Sequence, residues 1–214
     1  MRRNALSLTI CCTLLLTGKS ILAQSTETPR LEIGAHFTAL GFSRDFEPGV
    51  GGRLTYNLTE TFAVEAEGNF FPRDRFHGLR AGGRAVQGLF GVKVGKRYKR
   101  FGIFGKARPG FISFSEGISE LVPDDSVFDP QAPLNFRTRR LTHFAADLGG
   151  VLEIYPSRRV LLRIDAGDTI IRYGNTTVNT FQLIPGDPFV PEPFTIPGDT
   201  KHNLQLSAGV SFRF

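Results

Sequence analysis

A chain of 214 residues suits one domain of ordinary size, and its 26 Lys and Arg against 20 Asp and Glu leave a formal charge of +6. Three of those positive charges, Arg2, Arg3 and Lys19, fall within the first 23 residues, so the remainder is only mildly basic and no nucleic-acid partner is expected. Both cysteines, Cys11 and Cys12, lie in the same stretch, which excludes disulfides, thiolate metal sites and thiol nucleophiles from everything that follows it.

Residues 1–23 read as a cleaved signal peptide: Arg2 and Arg3 form a basic start, 6–17 form an apolar run, and Ile21, Leu22 and Ala23 end in a small residue before Gln24. The apolar run is too short to span a bilayer comfortably as a helix. Residues 24–214 are then one exported domain.

From there the chain is a succession of period-two segments divided by turn signals, the mark of strands. In 31–39, Leu31, Ile33, Ala35 and Phe37 alternate with Glu32, Gly34, His36 and Thr38. In 50–58, Val50, Leu54 and Tyr56 oppose Arg53, Thr55 and Asn57; in 62–70, Phe62, Val64, Ala66 and Phe70 oppose Glu65, Glu67 and Asn69. The fourth segment is less regular, with Val86, Phe90, Val92 and Val94 against Gln87, Leu89 and Lys93. The fifth sets Phe101, Ile103, Ala107 and Phe111 against Phe104, Lys106 and Arg108, and Pro109 inside it suggests a bulge or a strand end. The sixth sets Phe144, Ala146, Leu148, Leu152 and Ile154 against His143, Asp147 and Glu153, and the seventh sets Leu162, Ile164 and Ala166 against Arg163 and Asp165. The last is the most regular: Leu204, Leu206, Ala208, Val210, Phe212 and Phe214 alternate with Gln205, Ser207, Gly209, Ser211 and Arg213. Eight such segments of roughly ten residues match the length tilted strands need to cross an apolar slab. The expected fold is all-β: an eight-stranded antiparallel up-and-down transmembrane β-barrel.

The polar faces carry a balanced set of charges, with Glu32, Glu65, Glu67, Asp147, Glu153 and Asp165 against Arg53, Lys93, Lys106, Arg108, Arg163 and Arg213. Enclosed in a lumen these ions compensate one another, while the aliphatic and aromatic face meets lipid. Connections at 57–61, 95–100 and 155–159 are short and those at 40–48, 71–80, 115–140 and 173–202 are long, the asymmetry of outer-membrane barrels. The prolines of the last two argue that both project into water as loops. Their phenylalanines (Phe128, Phe136, Phe181, Phe189, Phe194) suggest that the two pack on each other over the mouth or meet a partner.

On these residues the chain resembles the small outer-membrane β-barrel proteins of the OmpA/OmpX-like superfamily. The resemblance covers nearly all of 24–214 and is most specific in the arm from Phe144 to Tyr155, in the strand Val160 to Asp165, and in the closing strand ending at Phe214. It implies residence in the outer membrane of a Gram-negative-type bacterium, and Phe212 and Phe214 would be read by the barrel-assembly machinery. It implies no single activity, since such barrels serve as anchors, adhesins, narrow pores or lipid-modifying enzymes.

No catalytic, cofactor or metal motif stands out. His36 and His143 share the polar face with carboxylates, which would be the minimum for acid-base chemistry, but they read first as lumen members. Asp124, Asp125 and Asp129 read as solvated loop acids rather than a calcium loop. The run Lys96 to Arg100 reads as a solvated turn. Arg137, Arg139 and Arg140, with Arg73, Arg75 and Arg80 in another exterior loop, fit contact with the phosphates of lipopolysaccharide, because guanidinium groups pair bidentately with phosphate. The leading expectation is a monomeric structural or surface-interaction barrel without catalysis, with a narrow channel next and a barrel enzyme third.

Overall fold

A computed structural model describes residues 29–42, 45–122, 135–184 and 187–214. The expected signal peptide, and Asp124, Asp125 and Asp129, lie outside the described residues. The strands are β1 (Leu31–Phe42), β2 (Asp45–Asn57), β3 (Phe62–Phe76), β4 (Gly82–Arg97), β5 (Phe101–Val122), β6 (Asn135–Ile154), β7 (Val160–Tyr173), β8 (Thr176–Ile184), β9 (Asp187–Ile196) and β10 (Asp199–Arg213).

Each of β1 to β6 pairs antiparallel with its successor, β7 pairs with β10, and β10 closes on β1. The result is an eight-stranded up-and-down barrel with the β8–β9 hairpin inserted in its last connection. Closure leaves no open edge, so every wall strand finds backbone partners on both sides. The first and last strands meet at their ends, with Leu31 N–H donating to Phe214 C=O at 3.3 Å, and the start of β1 and the end of β10 share one end of the barrel with the turns at 58–61, 98–100 and 155–159.

The period-two pattern sorts side chains by polarity in the reverse of a soluble protein. Phe37 is 76% exposed, Phe90 63% and Phe214 69%, all pointing outward, whereas Lys93, Arg108 and Glu153 are wholly buried within. Ladder register carries the sorting from strand to strand: Arg53 faces Glu67, Lys93 faces Lys106, Arg108 faces Asp147 and Glu153 faces Arg163, while Ile33 faces Phe212 on the outside.

The connections at the far end differ from the reading of the sequence. The segment 40–48 is not a long loop: β1 and β2 stay paired to Phe42 and Asp45, leaving only residues 43–44 between them. Strands β5 and β6 likewise remain paired as far as Val122 and Asn135, so Arg137, Arg139 and Arg140 stand on a strand and not in a loop. The prolines of 173–202 do not prevent pairing either. Strand β9 carries Pro191 and Pro193 opposite Phe181 and Asn179, and it is tolerated because β9 has a partner on one side only, as proline in a sheet requires. The extended end of β5 meets this hairpin through a single parallel pair, Glu120 with Asn179. Of the loop phenylalanines only the side chain of Phe194 is described, and it is exposed. Pro109 marks neither a bulge nor a strand end; its ring points outward in mid-strand and the pairing with β6 runs through it unbroken.

Candidate functional site

The lumen is filled in layers. At the end where β1 starts and β10 finishes, Arg97 donates to Glu32 (3.2 Å) and to Asn57 (2.7 Å), and the Arg213 guanidinium lies 3.5 Å from Glu32 and 4.7 Å above the Tyr155 ring. Tyr155 sits in the turn after β6 and donates to Glu153 at 2.8 Å; burial, and then the Glu153 carboxylate, push its phenol well above the ordinary tyrosine range. The phenol therefore stays a donor at any physiological pH.

Above this rim is an ionic core in which each cation touches at least two acids. Arg163 holds Glu65 with two nitrogens and Asp165 with Nε (2.9 Å) and Nη2 (2.8 Å). Lys93 pairs with Glu153 and lies 3.5 Å from Glu65; Arg53 joins Glu67 (Nε, 2.8 Å) to Asp165 (3.0 Å). Arg108 joins Glu67 to Asp147, and Lys106 joins Asp147 (2.9 Å) to Asp165 (3.5 Å). Charges taken this far from water are tolerable only when paired and hydrogen-bonded, and here the strand register supplies the partners.

A layer of neutral polar groups follows. His36 bonds Asn69 (2.7 Å), Asn69 donates to Gln87 (2.8 Å), and Gln87, Gln205, Thr169, Thr38 and Ser207 continue the chain across the barrel. Gly51 makes room for it. A Cβ there would stand 2.1 Å from Asn69 Oδ1 and 2.5 Å from His36 Nε2.

The far end is closed by apolar side chains: Leu40, Phe71, Ala85, Ile112, Phe114, Ala145 and Ile171 form one buried cluster with Tyr173. Across it lies the β3–β4 connection, residues 77–81, a tight turn with Gly78 at φ +133°. Arg80 ties this strap to the opposite wall. It donates to the carbonyls of Gly174 (3.1 Å) and Pro197 (2.9 Å) and to Asp199 (2.6 Å), and its guanidinium lies 5.2 Å over the Tyr173 ring. Ile118 N–H holds the Leu79 carbonyl (2.8 Å), and His143 Nε2 lies 3.1 Å from the Arg80 carbonyl oxygen.

Of the charged residues singled out from the sequence, eleven are buried in this lumen, and Arg213 is half-buried at its rim. Phe212 and Phe214 point outward at the closing seam. Of the two histidines that share the polar face with carboxylates, only His36 has one within ion-pair distance among the described residues. His36 meets Asn69 and, at 3.7 Å, Glu67; His143 meets the strap and Tyr173; among the described residues no hydroxyl is bonded to either. His77 lies 3.3 Å from the buried Glu47. On the outer surface His202 contacts Asp168 at 2.5 Å, without a hydroxyl bonded to it among the described residues. Among the described residues no group of three His, Cys, Asp or Glu could hold a metal ion.

Sequence reasoning misplaced Arg97, read as part of a solvated turn, and Arg80, read as an exterior phosphate contact, and it missed the apolar plug. Parity could have found most of them. Arg97 is four residues from Lys93 and thus on the same face, and Phe71, Ile112, Phe114, Ala145 and Ile171 continue the inward positions of Asn69, Arg108, Asp147 and Thr169. Arg80 leaves no such signal, because it acts from a turn.

A closed antiparallel barrel with an apolar exterior and a paired ionic interior is a transmembrane β-barrel. No family model matches the chain, and no curated protein does. Among solved structures it aligns with Neisserial surface protein A over 86% of this chain and 96% of that one, at 10% identity and a TM-score of 0.47. The N-terminal β-barrel domain of Pseudomonas aeruginosa OprF aligns over 87% and 100% (10% identity, TM-score 0.44). The attachment invasion locus protein Ail of Yersinia pestis aligns over 86% and 96% (12% identity, TM-score 0.43).

Proposed function

We propose that this protein is a bacterial outer-membrane barrel with a structural or surface-interaction role, which neither catalyses a reaction nor conducts solutes. Residues 1–23 direct export, the barrel-assembly machinery reads Phe212 and Phe214, and Arg137, Arg139 and Arg140 meet phosphorylated lipid, lipopolysaccharide included. The observation that carries the reading is the lumen filled from end to end: an ionic core, an amide layer, an apolar plug and the Arg80 strap. Eight strands enclose room for side chains and little else. The hairpin and the extended ends of β5 and β6 then offer the surface for contact.

Planar-bilayer recording tests this. The wild-type protein gives no steady conductance, and Arg80→Ala, which frees the strap but leaves the ionic core, gives none either. A steady wild-type current would replace this reading with that of a narrow channel, and a current in Arg80→Ala alone would make the strap a gate.

A further inference from the structure

Strands β6 and β7 change polarity together on their outer face. Phe144, 55% exposed, is the last apolar outward residue of β6; Thr142 and Arg140 follow it. On β7, Ile170 is followed by Arg172, which the register sets directly opposite Phe144. Beyond this last β6–β7 pair a groove of about 340 Å³ is lined by Phe144, Arg172 and Asn175 and also by Arg139, which alternation puts on the opposite side of β6 from Phe144 but which borders the groove where β6 runs on past its pairing with β7. Neither arginine has a carboxylate within ion-pair distance among the described residues, whereas every charged lumen cation is paired. Asn175 Oδ1 already accepts from Gly198 N–H (2.6 Å), so its amide group has donors to spare.

We propose that this groove binds the phosphate of an outer-leaflet lipid, with Arg139 and Arg172 gripping the phosphate oxygens, Asn175 adding a donor, and the acyl chains running down over Phe144. The proposal rests on the lipid contact advanced above but moves its centre from Arg137 and Arg140 to the Arg139–Arg172 pair. Two guanidinium forks held on paired strands match a phosphate that carries more than one ionised oxygen. The position matters as much as the charge: a phosphate sits at the headgroup level, just above the hydrocarbon, and Arg172 stands beside Phe144, the last lipid-facing hydrophobe of β6.

Calorimetric titration of the purified protein in dodecyl maltoside micelles, which contain no phosphate, tests the site with dihexanoyl phosphatidic acid as probe. Saturable one-site binding is expected, weakened at least tenfold in R139A/R172A and less in R139K/R172K, and unchanged in R84A, where another outward arginine is lost from β4. Equal binding of dihexanoyl phosphatidylcholine, of inorganic phosphate alone, or by R139A/R172A overturns the proposal, as does an equal loss in R84A. R139Q/R172Q serves if the alanine variant loses the heat-modifiable gel mobility of a folded barrel. Failure of the wild type to insert into phosphatidylcholine vesicles would sink the membrane reading itself; insertion with unaltered binding by R139A/R172A would sink only the groove.

Discussion

Arg163 is the centre of the ionic core, and its removal measures what that core contributes. Arg163→Met leaves Glu65 and Asp165 buried without their shared partner. Breaking a buried pair from one side costs about 3 to 5 kcal/mol. The lower end applies here, because Glu65 keeps Lys93 at 3.5 Å and Arg108 at 3.6 Å, and Asp165 keeps Arg53 at 3.0 Å and Lys106 at 3.5 Å. A loss of about 3 kcal/mol lowers the folding constant roughly a hundredfold. Adding Glu65→Gln should restore most of it: the double variant keeps the lumen charge of the wild type, and Lys93, Arg108 and Asp165 each retain an ion partner. Reversible urea unfolding in lipid vesicles, followed by far-ultraviolet circular dichroism because the chain has no tryptophan, gives the three stabilities. A change of under about 0.5 kcal/mol for Arg163→Met, the size of an exposed pair, would refute the claim that these ions are desolvated. A double variant no better than the single would refute the pairwise account.

Gly51→Ala should destabilise the barrel by about 1 to 3 kcal/mol, since its Cβ intrudes on the His36–Asn69 bond; the same unfolding assay checks it, and a wild-type midpoint would count against the amide layer. Replacing Phe214 by Asp should slow insertion and leave protein in the periplasm, which cell fractionation reads, and an unchanged outer-membrane yield would remove its role as an assembly signal. Proteinase K added to intact cells should cut first within 115–140 or 173–202 and spare the turn at 98–100. Early cleavage at that turn in cells with sealed outer membranes would invert the topology.

The wall of the barrel was legible because a strand has the simplest of periods. Every residue of the ionic core could be placed inward by counting in twos from a neighbour such as Glu65 or Asp165, and the short turns at 58–61, 98–100 and 155–159 fall where the alternation stops. Strand ends were harder to place. Pairing continues past the apolar band as long as both chains hold register, so β1 and β2 reach Phe42 and Asp45, and β5 and β6 reach Val122 and Asn135, although the regular alternation read from the sequence stops short of both ends. Proline was read as a veto on pairing, but its missing donor costs nothing on the open side of β9. The Arg80 contacts join residues about a hundred positions apart through a turn, and no local pattern encodes a link of that kind.

The ionic core also bears on how the chain finds its register. A slip of one residue in any strand turns its inward set outward. In β7 that would present Arg163 and Asp165 to lipid, and in β3 Glu65 and Glu67. Arginine or lysine on the lipid face of a barrel costs about 2 to 4 kcal/mol at mid-membrane. The same slip strips the partners from Lys93, Arg53 and Arg108, so each misregistered strand is penalised twice, once in the lipid and once in the lumen. An apolar lumen would impose neither cost, because a slipped strand would still show hydrophobes to both sides, and such a chain would be poorly soluble before it reached the membrane. Pairing spread over several strands is what makes the penalty specific: Glu65 on β3 needs Arg163 from β7, and Arg53 on β2 needs Asp165 from β7. These contacts span the lumen between strands that are not neighbours in the wall, so they fix the register of the whole barrel and not only of adjacent pairs.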